Sequence, residues 1–191
     1  MTETTNIIHE MQEMQTGLYN ESGGKNIFFK KTQKLDIAKT ISEKFDLQEI
    51  IDKCIYILPT KMNEIYIDYT ILKLFIHDDI HEKIIDYLLV LYSECITKYG
   101  TFTLNINLDG FTISAAERHK NAVKLFSQKC LNTKEFRYGE LNEKIRILNA
   151  PSIMDTLVQM FKPFFAKDLV HRIELYKKNE SVNIIKQLGI I

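Results

Sequence analysis

KIRILNAPSIMDTLVQMFKPFFAKDLVHRIELY, spanning Lys144–Tyr176, combines strand, helix and proline signals in one run. Ile145, Ile147 and Leu148 read as a short apolar strand that breaks at Asn149-Ala150-Pro151. Proline lacks an N–H and its ring clashes with the carbonyl four residues back, so it suits a helix start and not a helix interior. Pro151 therefore opens a helix, and Pro163 ends or bends it at Lys162-Pro163. Phe164, Phe165, Leu169, Val170 and Ile173 follow as a second apolar helical stripe. A strand feeding a helix, a bend and another greasy helix is either ordinary core or a lid.

Upstream, the chain repeats this alternation. Thr101–Leu108 has Phe102, Leu104, Ile106 and Leu108 on one side and Thr101, Thr103, Asn105 and Asn107 on the other, the two-residue period of a strand. Asp109-Gly110 makes a turn, and Ser114 is placed to cap a helix running to Cys130 with Ala115, His119, Ala122 and Phe126 inward. EIYIDYTILKLF (64–75), rich in β-branched and aromatic residues, reads as another strand. The helix after it places Ile80, Ile84, Leu88, Leu91, Cys95 and Tyr99 on one face. Asp79 and Glu82 form a capping box at its start, and Gly100 lies at its stop. Strand–helix–strand–helix–strand–helix order implies parallel pairing through right-handed crossovers. A short helix at Ser181–Leu188 closes the chain.

Residues 1–60 form a small helical section. Ile7, Ile8, Met11, Met14 and Leu18 fall at helical spacing before a break at Ser22-Gly23-Gly24. Two short helices then occupy 26–60, the second capped by Asp46 with Glu49 three residues on and stopped by Pro59. Residues 61–191 form the main α/β domain.

The 191 residues, 45% hydrophobic and 26% charged, suit a globular chain that needs neither disulfides nor a metal for its core. The N-terminus has neither the basic start nor the apolar block of a signal peptide. Cys54, Cys95 and Cys130 match no zinc or disulfide spacing and read as buried free thiols, which points to a cytoplasmic location. The zero net charge hides an asymmetry: residues 1–95 carry 10 basic and 16 acidic groups, and residues 96–191 carry 15 and 9. The basic half is suited to peripheral contact with an anionic membrane surface.

No enzyme is legible. His77 and His81, four apart, have no third metal ligand at a suitable spacing, and Gly24-Lys25 lacks the rest of a phosphate loop. Ser114 and Ser152 lack the glycines of a nucleophile elbow. No metal or cofactor is expected. The basic run Arg118, Lys120, Lys124, Lys129, Lys134 and Arg137 has too few aromatics beside it for nucleic-acid binding.

TFTLNINLDGFTIS (101–114) and IRILNAPSIMDTLVQMFKPFFAKDLVHRI (145–173) resemble the CRAL-TRIO lipid-binding family. Members show a strand ending in D-L-x-G with a small hydroxyl residue after it, then I-N-A-P and K-P-F elements. The resemblance implies a mixed, largely parallel sheet with helices on one face and a gate helix over the other. It implies non-enzymatic binding, and transfer, of one hydrophobic lipid ligand. The pocket floor would include Phe102, Leu104, Ile106 and Ile147, and the gate Met160, Phe161, Phe164, Phe165, Leu169 and Val170. Phospholipid carriers place Ser or Thr where Phe102 and Leu104 stand, and the chain stops at Ile191, short of a last strand and glycine-rich tail. Both features suit an alternative, a pocket-less module on the same fold that binds a small GTPase or another protein partner.

Overall fold

Parallel strands β2 (Lys61–Asp68), β3 (Phe102–Asn107), β4 (Asn142–Leu148) and β5 (Ile173–Leu175) lie side by side in sequence order. Strand β1 (Ile55–Leu58) pairs antiparallel at the β2 edge. The computed structural model describes residues 3–23, 30–133, 136–164 and 167–190. The fold is thus mixed α/β with a five-stranded, mostly parallel sheet, as the resemblance implied.

Three helices precede and flank β1: α1 (Glu3–Glu21), α2 (Lys30–Lys44) and α3 (Leu47–Cys54). Asp46 caps α3, its carboxylate accepting from Glu49 N–H at 2.8 Å. The helix stops at Cys54, four residues before the stretch expected. Ile55–Leu58 are strand because three β-branched or aromatic residues here pair with Ile65, Tyr66 and Ile67 across the Pro59-Thr60 turn. Met11, Ile37, Ile41, Ile50 and Ile51 join the same apolar core as the sheet. The Gly24-Lys25 stretch lies outside the described residues.

Strand β2 ends at Asp68, whose carboxylate accepts from the N–H and the hydroxyl of Thr70 at 2.7 and 2.6 Å. That cap starts α4 (Tyr69–Leu72), so the strand expected to reach Phe75 stops early. Helix α5 (His81–Tyr99) follows a turn of 3₁₀ helix at Asp78–Ile80, without the expected capping box. Asp79 instead pairs with Lys39 of α2 at 2.9 Å, a tertiary partner invisible in local sequence. Gly100 ends α5 at φ 82°, a left-handed conformation glycine adopts without Cβ strain. Helix α6 (Ile113–Asn132) is capped two residues earlier than expected, by Thr112, whose hydroxyl accepts from Ala115 N–H at 3.2 Å. Helix α7 (Tyr138–Leu141) leads directly into β4.

Because the parallel strands follow in order, right-handed crossovers carry every connection over one face. Packing agrees: Leu88 and Tyr92 of α5, Phe126 and Cys130 of α6, and Met154 and Leu169 share one cluster with Ile65, Leu104, Ile145 and Ile147. The segment after β4, expected as a gate over the opposite face, therefore lies on the same face as α5 and α6, because its parallel crossover has the same hand as theirs. The opposite face is polar, and α9 (Lys178–Gln187) covers part of it through Ile185 and the neighbouring Leu188, packed on Leu58, Tyr66 and Leu148.

Candidate functional site

The Asn-Ala-Pro element works as a corner. Asn149 sits at φ 51°, a left-handed conformation asparagine tolerates better than most side chains. Its N–H donates to Ser181 Oγ at 2.7 Å and its side-chain amide to Asn107 Oδ1 at 2.8 Å. Pro151 lies in the turn before α8 (Met154–Phe161) and not at its first position; its carbonyl accepts from Met154 N–H. Helix α8 ends at Phe161, and Lys162–Phe164 turns as 3₁₀ helix at Pro163. The second stretch, Lys167–Arg172, is 3₁₀ and not α-helix. Ile173, expected in its apolar stripe, instead begins β5.

Between α8, Val170 and β5 lies a solvent-open cavity of about 320 Å³ lined by Asp155, Val158, Gln159, Val170, Ile173 and Leu175. Positions 155, 158 and 159 share one face of α8, and 173 and 175 share one face of β5, so two elements converge on it. Four aliphatic side chains make the walls, and the exposed Asp155 and Gln159 make a polar rim. Leu175, 44% exposed on the edge strand, leaves the cavity open to solvent. The segment from α8 to Arg172 is anchored by Leu157, which is buried, and by two polar ties. Ser127 of α6 donates to the Phe164 carbonyl at 2.5 Å. Arg172 Nη1 donates to the carbonyls of Gly139 and Glu140 at 2.9 and 3.1 Å, and also to that of Asn142.

The floor residues named from sequence lie elsewhere on the same face. Phe102 is 1% exposed and stacked on Tyr92 of α5, ring centroids 4.2 Å apart. Leu104 and Ile147 are buried, and Ile106 is half-buried between its register partners Ile67 and Ile147. Met160, Phe161 and Phe164 are half-buried, and Leu169 packs against the main core. Val170 lines the cavity; Phe165 lies outside the described residues. Asp155, Val158, Gln159 and Leu175 went unremarked in the sequence. The spacing of 155, 158 and 159 ahead of Pro163 was the available signal.

The histidines do not assemble a metal site. Among the described residues no group of three or more His, Cys, Asp or Glu is gathered closely enough to hold an ion. His77 Nε2 bonds Ser42 Oγ at 2.9 Å, tying α2 to the turn before α5. His81 and His119 are buried with ring centroids 6.0 Å apart, Tyr69 stands edge-on to His119, and Nε2 of His81 and Nδ1 of His119 find no hydrogen-bond partner among the described residues. Burial, then Arg118 and His81, pushes His119 down to about 4; burial also lowers His81, against Asp78, which raises it. The unfolded chain therefore takes up these protons first, so stability is full above about pH 6.5 and lost as the pH falls toward about 4. His119 alone is expected to remove about 3 kcal/mol by the lower limit. Urea midpoints measured across that window should fall with pH, and His119→Phe should flatten most of the slope.

A family model described as the CRAL/TRIO domain matches residues 20–188, from within α1 to the end of α9. No curated protein matches the chain. Among the described residues no helix is long and apolar enough to cross a membrane.

Proposed function

This chain belongs to the CRAL/TRIO domain family, and we propose that it binds one hydrophobic lipid in the cavity between α8 and β5. The family is one of lipid and small hydrophobic ligand binding, generally without enzymatic chemistry. The observation that carries the reading for this chain is the convergence of Val158, Val170, Ile173 and Leu175 on one solvent-open cavity. At about 320 Å³ it stands at the small end of the roughly 300–1,000 Å³ typical of ligand sites. A single acyl or isoprenoid chain is the occupant it suits, each buried methylene contributing roughly 0.8 kcal/mol. The 3₁₀ cover has less regular hydrogen bonding than an α-helix, which suits a segment that lifts to admit a chain. The exposed Lys124, one turn from Ser127, and Lys162 at the hinge would favour ligand exchange at an anionic membrane surface.

Uptake of labelled lipid from vesicles tests this. Val170→Trp, which fills the cavity from its cover, is expected to reduce uptake to background while the urea midpoint changes little. Unchanged uptake by Val170→Trp would place the lipid elsewhere on the protein.

A pocket-less interaction module on the same fold is the second reading. The Phe102–Tyr92 stack favours it, since that pair fills the middle of the sheet face. It requires that vesicles donate no lipid to the unsubstituted chain.

A further inference from the structure

The sheet face turned away from α5 and α6 carries charge. Register places Glu64, Thr103 and Lys144 in one row and Tyr66, Asn105, Arg146 and Glu174 in the next. Arg146 Nη1 donates to Glu64 Oε2 at 2.5 Å and to Asn105 Oδ1 at 3.0 Å. The Asn105 amide donates to Glu64 Oε2 at 3.0 Å, and Asn105 is fully buried. Lys144 pairs with Glu174 at 2.7 Å, Tyr176 donates its phenol proton to the same carboxylate, and Lys61 stands 3.5 Å from Glu64.

Beside α9 this face holds a cavity of about 210 Å³ lined by Lys61, Lys144, Arg146, Tyr176, Ile184, Gln187 and Leu188. Neither Glu64 nor Glu174 is among its lining residues. The two carboxylates pair with the three lining cations, two negative charges against three positive ones, and the lining adds a phenol, an amide and two aliphatic side chains.

We propose that this cavity is a second binding site, distinct from the apolar one, and that it takes a phosphate-bearing ligand. Arg146 is the fixed element. Glu64 and Asn105 hold Nη1, and Glu174 Oε2 stands 3.9 Å from Nε; a guanidinium has five N–H donors, so those of the second terminal nitrogen remain for an anion. Lys61 and Lys144, with side chains 41% and 38% exposed, are the adaptable elements. The Lys144–Glu174 pair is exposed on both sides and weak, and Glu64 keeps Arg146 and Asn105 when Lys61 turns away, so each ammonium can reach a phosphate. The volume suits a phosphate group or the phosphoryl end of a lipid headgroup, and falls below the range of larger organic ligands.

Both sources are tested on the full chain. Inorganic phosphate is titrated against matched chloride while backbone amide signals are followed by NMR. Saturable shifts are expected at Lys61, Lys144 and Arg146. K61Q/K144Q, whose substitutions lie on part-exposed side chains and should leave the dispersed spectrum intact, is expected to weaken them about tenfold. In the second arm, vesicles of phosphatidylcholine with and without phosphatidate are co-sedimented with both proteins. Phosphatidate-dependent binding that K61Q/K144Q loses assigns the site to a lipid headgroup; a phosphate response without it assigns the site to a free phosphate compound. Shifts no larger than those at Lys39 and Lys98, with vesicle binding indifferent to K61Q/K144Q, overturn the proposal.

Discussion

Phe102→Ala is expected to destabilise the protein by about 3–5 kcal/mol, the range for truncating a packed core phenylalanine. The ring is 1% exposed and lies flat on Tyr92, which itself meets Phe126 and Tyr138 edge-on at 6.1 and 5.7 Å. Tyr138 in turn shares a hydrogen bond with Ser93 at 2.9 Å. One side chain thus supports contacts among β3, α5, α6 and α7. Removing it leaves a void these helices can only partly close. Urea unfolding of the variant should show a lower midpoint with little change in slope. The result also bears on where a ligand sits. A phenylalanine lining an open pocket would have few packed neighbours, and its loss would lower stability by less than about 1 kcal/mol.

Arg146→Ala is expected to lower stability by a similar amount, about 3–5 kcal/mol, through charge and not volume. Glu64 is 8% exposed, and Arg146 supplies its shortest contact. Without the guanidinium a carboxylate stays buried with an asparagine amide and a lysine 3.5 Å away. The double substitution Glu64→Gln with Arg146→Met removes both charges and should recover most of the loss. Breaking an exposed pair such as Lys98 with Glu94, 53% and 43% exposed, should leave the urea midpoint nearly unchanged. Equal losses from both pairs would contradict the burial argument.

Much of the fold was legible because local chemistry and tertiary context agree. The alternation across Phe102–Asn107, the Asp46 cap, the left-handed Gly100 and the Asn149 corner each hold in the structure for the reason their residue types suggest. Where tertiary partners compete, the local reading lost. Asp79 leaves its helix for Lys39, Asp68 turns a strand into α4, and Ile55–Leu58 abandon α3 for an edge of the sheet. The polar side of β3 misled in another way. Alternation marks two faces, but it does not say that the polar one is buried, as Thr103, Asn105 and Asn107 are. The cavity beside α9 depends on Lys61 meeting residues more than eighty positions away, and the apolar one on Ile173 and Leu175 leaving the expected helical stripe for β5; neither follows from spacing within one element. Of the residues named for a lipid, Val170 faces the cavity, while Phe102 lies in the packed middle of the same sheet face.

Native mass spectrometry of the full chain purified from cells reports directly whether a lipid is bound. A population heavier than the polypeptide by one small hydrophobic molecule is expected. That molecule should be released on denaturation and be absent from Val170→Trp. A bare polypeptide mass for the unsubstituted chain, unchanged after incubation with lipid vesicles, would contradict the proposed lipid binding.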